Sequence, residues 1–260
     1  MFRMNPFHLV DASPWPIMGS FGAMFTAFGL VIWFHLGSLF FMFFGVFLIV
    51  FTKYVWWRDV VREASSLGFH LLQVMSGLRI GMVLFITSEV LFFFGFFWTF
   101  FHSGLVPVVE LGGVWPPFML ESLDPMAVPL LNTVVLLSSG VSVTYSHYSV
   151  INSNLTDGIM GLVITLFLGF FFTLLQAFEY VQTSFTIADS VYGSIFFMAT
   201  GFHGFHVFVG SVFLLVCLVR MVNGHVLSNH HIGYECAIWY WHFVDVVWIF
   251  LYSFVYMWGG

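Results

Sequence analysis

The sequence predicts an all-α integral membrane protein with seven transmembrane helices. Of its 260 residues, 60% are hydrophobic and 7% are charged, and the mean hydropathy is +1.01. A soluble chain of this size would have to cover its surface with apolar side chains to reach these values. The apolar runs lack the period of two of a barrel strand, so helices are the structure that satisfies their backbone hydrogen bonds in lipid.

Seven apolar runs are each long enough to cross the hydrocarbon core of a bilayer, which takes about 20 residues of helix. They comprise residues 16–34, 37–57, 77–103, 129–150, 158–182, 191–222 and 232–258. No repeat of fixed period and no low-complexity segment divides them. We therefore predict a single polytopic membrane domain over residues 1–260.

The first two runs are followed by a segment of mixed character, Lys53 to Ser76. It contains the run WWRDVVRE together with Gly68 and His70. Tryptophan and arginine suit the membrane interface, where their side chains lie among lipid head groups. We predict that this segment is a loop that forms a basic, lipid-facing edge.

The third run contains a carboxylate, Glu89, with Phe85, Phe92 and Phe93 on the same helical face. Arg79 would be about 15 Å away along the helix axis, too far for a direct ion pair. Holding a glutamate neutral at pH 7 costs about 3.7 kcal/mol. A charge in mid-bilayer costs about 2.5–3.5 kcal/mol on insertion scales and far more in simulations. Glu89 must therefore bind another partner or take up a proton, and desolvation favours the protonated form.

A segment rich in proline and glycine, Ser103 to Pro129, separates the third run from the fourth. This composition breaks helices and favours turns. We predict an ordered external cap here rather than another span.

The last four runs contain polar side chains that need partners in a membrane. Gln176 and Glu179 are three residues apart in the fifth of the seven runs, and Asp245 lies in the seventh run. Polar residues that face a helix bundle commonly form hydrogen bonds between helices. We interpret these three residues in this way rather than as a proton relay.

The histidines raise the alternative of a metal centre. His203 and His206 are three residues apart and would share a helix face, His230 and His231 are adjacent, and His242 lies in the last run. A buried metal site needs three or four convergent ligands. No cysteine or carboxylate lies within four residues of His203 or His206, and no two histidines have the spacing that would clamp a pair of haems. We predict helix-packing histidines, no metal and no catalytic residue, with a membrane metalloenzyme as an alternative.

The basic residues indicate the orientation of the chain. With seven spans, all six basic residues fall on the side of the amino terminus, namely Arg3, Lys53, Arg58, Arg62, Arg79 and Arg220. The opposite loops contain no Lys or Arg, and their acidic residues are Glu110, Glu121, Asp124 and Asp189. The positive-inside rule places the amino terminus inside. The amino terminus has neither a presequence nor a cleavable signal pattern, so we expect synthesis inside an organelle or a bacterium.

Long motifs in this chain resemble the cytochrome c oxidase subunit III family, particularly its mitochondrial form. The resemblance covers essentially the whole sequence and rests on SPWP (13–16), WWRDVVRE (56–63), GLRIGMVLFITSEVLFFFGFFW (77–98), ELGGVWPP, VPLLNTVVLLSSGVS, TLLQAFEY, FTIADSVYGSIFFMATGFHGFHVFVGS and SNHHIGYECAIWYWHFVDVVWIFLY. It implies seven helices, of which the first two are splayed from the other five around a lipid-filled cleft.

The resemblance also implies a function. The chain would be a non-catalytic core subunit of cytochrome c oxidase, respiratory complex IV, that stabilises subunit I and supports proton uptake during electron transfer from cytochrome c to oxygen. Haem a and copper would lie in the partner subunits I and II. Small accessory subunits and structural phospholipids would be further partners, with no nucleic acid. The location would be the mitochondrial inner membrane, with the amino terminus in the matrix; a bacterial plasma membrane is the alternative.

Specific residues are implied by the same resemblance. Glu89 matches an intramembrane carboxylate of the family that reacts with a hydrophobic carbodiimide. Phospholipid head groups would lie near Trp57, Arg58, Arg62, Glu63, His70, Arg79, Arg220 and His225. The chain has Ser76 and Asn223 where the family usually has lysine, which removes two possible lipid contacts. A solitary membrane transporter with Glu89 as a midplane carboxylate is the alternative function, and it would require broken helices or inverted repeats that the sequence does not indicate.

Overall fold

The computed structural model describes residues 6–109, 112–118 and 120–260, so the predictions that involve Arg3 and Glu110 lie outside the described residues. The described residues form helices and no β-sheet. Seven of these helices are long and apolar enough to span a membrane, which confirms the predicted fold class. They are α1 (Trp15–Leu36), α2 (Phe40–Ser65), α3 (Leu72–Leu105), α4 (Val128–Ile151), α5 (Leu155–Gln182), α6 (Val191–Val222) and α7 (Ile232–Leu251). A π-helical segment, Tyr252–Trp258, continues α7.

The segment predicted as a loop between the second and third runs is mostly helical. Helix α2 continues to Ser65, and α3 already begins at Leu72. The prediction of a loop from Lys53 was wrong because hydropathy falls where the helix leaves hydrocarbon, while arginine, glutamate and alanine still favour helix. The motif WWRDVVRE therefore forms the last turns of α2.

The start of α5 also differs from the prediction. The helix begins at Leu155 rather than at residue 158 because Asn154 caps it. The Asn154 side-chain oxygen accepts a hydrogen bond from the Asp157 backbone N–H at 3.3 Å. Asparagine is a favoured N-cap residue, so this signal was present in the sequence.

The residues up to Leu78 form one compact unit, in which α1 and α2 pack as an antiparallel hairpin. Gly37, with φ of 70°, ends α1 in the left-handed conformation. At Gly45 an added Cβ would overlap the backbone of Thr26, so this glycine allows close contact between the two helices. At the other end of the hairpin, Trp15 Nε1 donates to Asp59 Oδ2 at 2.8 Å.

Residues Arg79–Gly260 form the second compact unit. Its core centres on α7, where the Trp241 and Trp248 side chains are fully buried. Trp241 Nε1 donates to Ser139 Oγ, and Trp248 Nε1 donates to Thr133 Oγ1, both at 2.9 Å. These bonds satisfy the indole donors and connect α7 to α4, so α7 holds this unit together.

The proline- and glycine-rich connection between α3 and α4 consists of turns and bends over its described part, as predicted. Trp115 lies in this connection, and its ring packs against Phe100 and Tyr192 at centroid distances of 5.4 and 5.6 Å. These contacts attach the connection to the second unit. Its predicted external position and the predicted splay of the first two helices stay predictions, as does the single domain over residues 1–260.

Candidate functional site

Glu89 has a partner from another helix. Its Oε2 atom lies 2.8 Å from Nε2 of His206 on α6. The Nδ1 atom of His206 lies 2.6 Å from the Phe202 carbonyl oxygen. The sequence allows Glu89 either to bind a partner or to take up a proton, and the hydrogen-bond geometry shows that the two outcomes are linked.

The hydrogen bonds of His206 show how many protons the pair shares. A backbone carbonyl can only accept, so Nδ1 of His206 must carry hydrogen and donate to Phe202. The contact between Nε2 and Glu89 then needs one more proton. Either a Glu89 hydroxyl donates to Nε2, or an imidazolium donates to a carboxylate. The pair has no net charge in either case, and a single proton lies between its two halves.

Aromatic rings enclose the histidine side of this pair. The Phe93 ring meets His206 edge-on at a centroid distance of 5.2 Å, and Tyr240 stacks on it at 6.2 Å. The His206 side chain is 9% exposed, whereas that of Glu89 is 23% exposed. The pair is therefore held in a low-dielectric pocket, with the carboxyl side open at the surface of α3.

Arg79 does not pair with Glu89, which agrees with the separation predicted along the helix axis. It forms a bidentate ion pair with Glu235 in the first turn of α7: Nε donates to Oε2 at 2.9 Å and Nη2 donates to Oε1 at 3.1 Å. Glu235 was not among the functional residues predicted from the sequence. The two residues are 156 positions apart, and no local pattern signals their contact.

Five of the residues predicted to bind lipid belong to the first unit, namely Trp57, Arg58, Arg62, Glu63 and His70. Four of them lie in the last turns of α2. Glu63 Oε2 is 2.6 Å from His8 Nε2, and the ring of His8 also meets that of His70 edge-on at a centroid distance of 5.4 Å. Trp57 is 62% exposed. The structure therefore connects the carboxyl end of α2 to His70 through His8. His8 was not among the residues predicted from the sequence.

The other three predicted lipid residues, Arg79, Arg220 and His225, belong to the second unit. Arg220 lies in the last turn of α6, and its Nη1 atom would be 2.7 Å from a Cβ placed on Gly233. Arg79 is bound to Glu235, so both guanidinium groups lie near the first turn of α7. The Nε atom of Arg220 is buried without a hydrogen-bond partner among the described residues.

Gln176 and Glu179 form the predicted contacts between helices, whereas the hydrogen bond of Asp245 stays within α7. Asn132 Nδ2 on α4 donates to Gln176 Oε1 at 3.4 Å, and the Tyr256 hydroxyl donates to Glu179 Oε1 at 2.5 Å. Asp245 Oδ2 is 3.3 Å from Nδ1 of His242 on the same helix. The hydrogen bonds of Gln176 and Glu179 confirm their interpretation as groups that connect helices.

The three histidines of the metalloenzyme alternative have separate partners. His203 Nε2 lies 3.2 Å from the Val244 carbonyl oxygen, and His206 is paired with Glu89. His242 is next to Asp245 and Thr144. Among the described residues, the groups that converge at metal-ligand distances do not include these three. Their contacts agree with the prediction of helix-packing histidines.

Comparisons with known proteins identify the family. The family model for cytochrome c oxidase subunit III matches residues 5–260. The chain is 56% identical over 260 residues to cytochrome c oxidase subunit 3 of Pisaster ochraceus, with all of both chains covered. It is 57% identical over 256 residues to the protein of that name from Drosophila yakuba, with 98% of each covered, and 55% identical over 258 residues to that from Squalus acanthias, with 99% of each covered. The chain therefore belongs to the cytochrome c oxidase subunit III family and is a membrane-spanning subunit of the cytochrome c oxidase complex of the respiratory chain.

Proposed function

We propose that this chain is a non-catalytic core subunit that stabilises subunit I and supports proton uptake during electron transfer from cytochrome c to oxygen. Haem a and copper lie in subunits I and II in this proposal, because the family implies no cofactor of its own for this chain. The small accessory subunits and structural phospholipids are its further partners. The chain crosses the mitochondrial inner membrane, with its amino terminus in the matrix. We assign support of proton uptake to the Glu89–His206 pair, which holds one proton between two helices.

The observation that carries the stabilising role is the environment of Arg220. Its Nε atom is buried and lacks a partner among the described residues, which is costly for a charged group. A guanidinium can donate two hydrogen bonds at once to a phosphate. An anionic phospholipid head group at the start of α7 would balance the charge of this half-buried side chain. We infer that bound lipid stabilises this end of the subunit, with Arg79 and His225 as neighbouring contacts and the residues at the end of α2, together with His70, as a separate lipid contact.

The solitary transporter is less well supported. That function predicts broken half-helices around a midplane site. The helices that carry Glu89 and Glu179, α3 and α5, are each continuous over more than 25 residues, and Glu179 is bonded to Tyr256. These contacts favour the role of an oxidase subunit.

Replacing Arg220 by alanine tests this proposal in the purified oxidase complex. We expect Arg220→Ala to lose anionic phospholipid and to lose activity faster during turnover, while the initial turnover rate is retained. Bound lipid is counted by mass spectrometry of the extracted complex, and the active lifetime is read from the decay of oxygen consumption.

Arg3→Ala is the matched control, because it also removes one arginine charge but is neither among the predicted head-group contacts nor within the predicted lipid-facing segment from Lys53 to Ser76. Equal lipid content and equal lifetime in the wild type and Arg220→Ala would contradict the proposal. Equal losses in Arg220→Ala and Arg3→Ala would show that net charge alone matters, which would also contradict it.

A further inference from the structure

Three side chains that the proposed function does not use converge near the first turn of α7. His147 lies in the last turns of α4, His231 is the N-cap of α7, and Glu235 follows one turn later. The Nε2 atoms of the two histidines are 3.3 Å apart, and His231 Nε2 is 3.4 Å from Glu235 Oε1. One ligand atom from each of the three groups lies within 4.8 Å of the others. The chain thus brings two imidazoles and one carboxylate to a single point.

The distances agree with a tetrahedral zinc ion. Zinc binds histidine nitrogen at about 2.0–2.1 Å and carboxylate oxygen at about 2.0–2.2 Å. In a tetrahedron, ligand atoms at these bond lengths are separated from one another by about 3.3–3.5 Å. The separations of 3.3 and 3.4 Å fall in this range. Two histidines and one glutamate form a known zinc ligand set that leaves the fourth position to water.

The hydrogen bond on the far side of His231 orients its ring as a ligand. His231 Nδ1 is 2.8 Å from the Leu227 carbonyl oxygen, which can only accept, so Nδ1 carries hydrogen. A neutral His231 therefore directs its Nε2 lone pair at His147 and Glu235. Metal-bound histidines usually donate their other ring N–H to a carbonyl or carboxylate in this way.

A cation would also relieve the contact between His231 and Glu235. In the neutral imidazole, the Nε2 lone pair faces a carboxylate oxygen at 3.4 Å, which is repulsive. An N–H of His147 can donate a hydrogen bond to Nε2 of His231, but the repulsive contact between His231 and Glu235 then remains. A divalent ion at the centre satisfies all three groups together.

Arg79 sets the orientation of the carboxylate and moderates its affinity for a cation. Its Nε donates to Oε2 of Glu235, while Nη2 shares Oε1 with His231. Oε2 can stay on Arg79 while Oε1 binds a metal, so the carboxylate would bridge the two. The nearby guanidinium charge opposes a second cation, which favours an exchangeable ion over a permanent one.

We propose that His147, His231 and Glu235 form an exchangeable Zn²⁺-binding site that connects the end of α4 to the start of α7. This site goes beyond the proposed function, and it departs from the prediction of no metal, which considered His231 only with its sequence neighbours. An exchangeable ion of this kind would not be a redox cofactor.

Zinc titration of the full-length chain in lipid nanodiscs tests this proposal. After removal of metal with a chelator, Zn²⁺ is added in competition with a chromophoric chelator, and the bound zinc is examined by X-ray absorption at the Zn edge. We expect one equivalent to bind, with two imidazole nitrogens and a carboxylate oxygen at about 2.0–2.2 Å. A spectrum without imidazole scattering would overturn the proposal, and this result needs no variant that might misfold.

Two ligand variants and a control complete the test. His147→Ala and His231→Ala should each weaken zinc binding by more than about tenfold, since loss of even an outer partner of a ligand costs this much. His102→Ala should bind like the wild type, because this exposed histidine lies about 35 Å along α3 from Arg79. If both ligand variants bind zinc like His102→Ala, the zinc is adventitious and the site does not exist.

Discussion

Replacing His206 by leucine is expected to lower the free energy of unfolding of the full-length chain by about 2–4 kcal/mol. The substitution leaves Glu89 in an apolar pocket without the imidazole that now lies 2.8 Å from its Oε2 atom. An unpartnered acid costs more than the pair contributes, because the desolvation penalty is no longer offset. The change is measured by reversible unfolding in lipid bicelles.

The double substitution Glu89→Leu with His206→Leu separates this cause from simple loss of packing. With both polar groups replaced by apolar ones, most of the lost stability should return. The matched control His102→Leu, at an exposed position of α3, should change stability by less than about 0.5 kcal/mol. The single variant Glu89→Leu completes the comparison. If the loss of unfolding free energy in the double variant equals the sum of the losses in Glu89→Leu and His206→Leu, the two side chains do not stabilise each other.

Gly45→Ala is expected to separate α1 from α2 and to destabilise the first unit by about 1–3 kcal/mol, the usual cost of overpacking. A Cβ at Gly45 would meet the backbone and side chain of Thr26, and backbone atoms cannot move aside as a flexible side chain can. Small residues at such crossings allow helices to pack closely in membranes. Unfolding of the chain and cross-linking between cysteines placed on α1 and α2 measure the effect.

Gly95→Ala is the control for this substitution. Gly95 also lies within a transmembrane helix, but a Cβ there would have no neighbour within 4 Å. Alanine favours helix over glycine by about 1 kcal/mol, so this variant should be as stable as the wild type or more stable. Equal effects of the two substitutions would show that close contact between α1 and α2 does not depend on Gly45.

The sequence predicts the number and type of helices because crossing a bilayer imposes length and hydropathy on each span separately. The sequence predicts less well where a helix ends after it has left the hydrocarbon. The last turns of α2 were predicted as loop, although arginine and glutamate are good helix formers. The cap at Asn154 was a local signal that hydropathy alone did not use.

The contacts of the candidate site could not be predicted from local patterns. Glu89 and His206 are 117 residues apart, and Arg79 is even farther from Glu235. The sequence established that Glu89 needs a partner or a proton, since the cost of an unpaired carboxylate in hydrocarbon is local physics. Which histidine meets it depends on how α3 packs against α6, and that is a property of the assembled helices.

Infrared spectroscopy of the oxidase complex with isotope-labelled glutamate and histidine tests most directly whether Glu89 and His206 share one proton. At neutral pH we expect one proton between the two side chains: either a carboxylic acid lies beside a neutral imidazole, or a carboxylate lies beside an imidazolium. The Glu89 band is identified by its loss in Glu89→Gln, and it should shift in His206→Leu. A carboxylate band that is unaffected by His206→Leu, together with a neutral imidazole, would show that Glu89 and His206 do not share a proton.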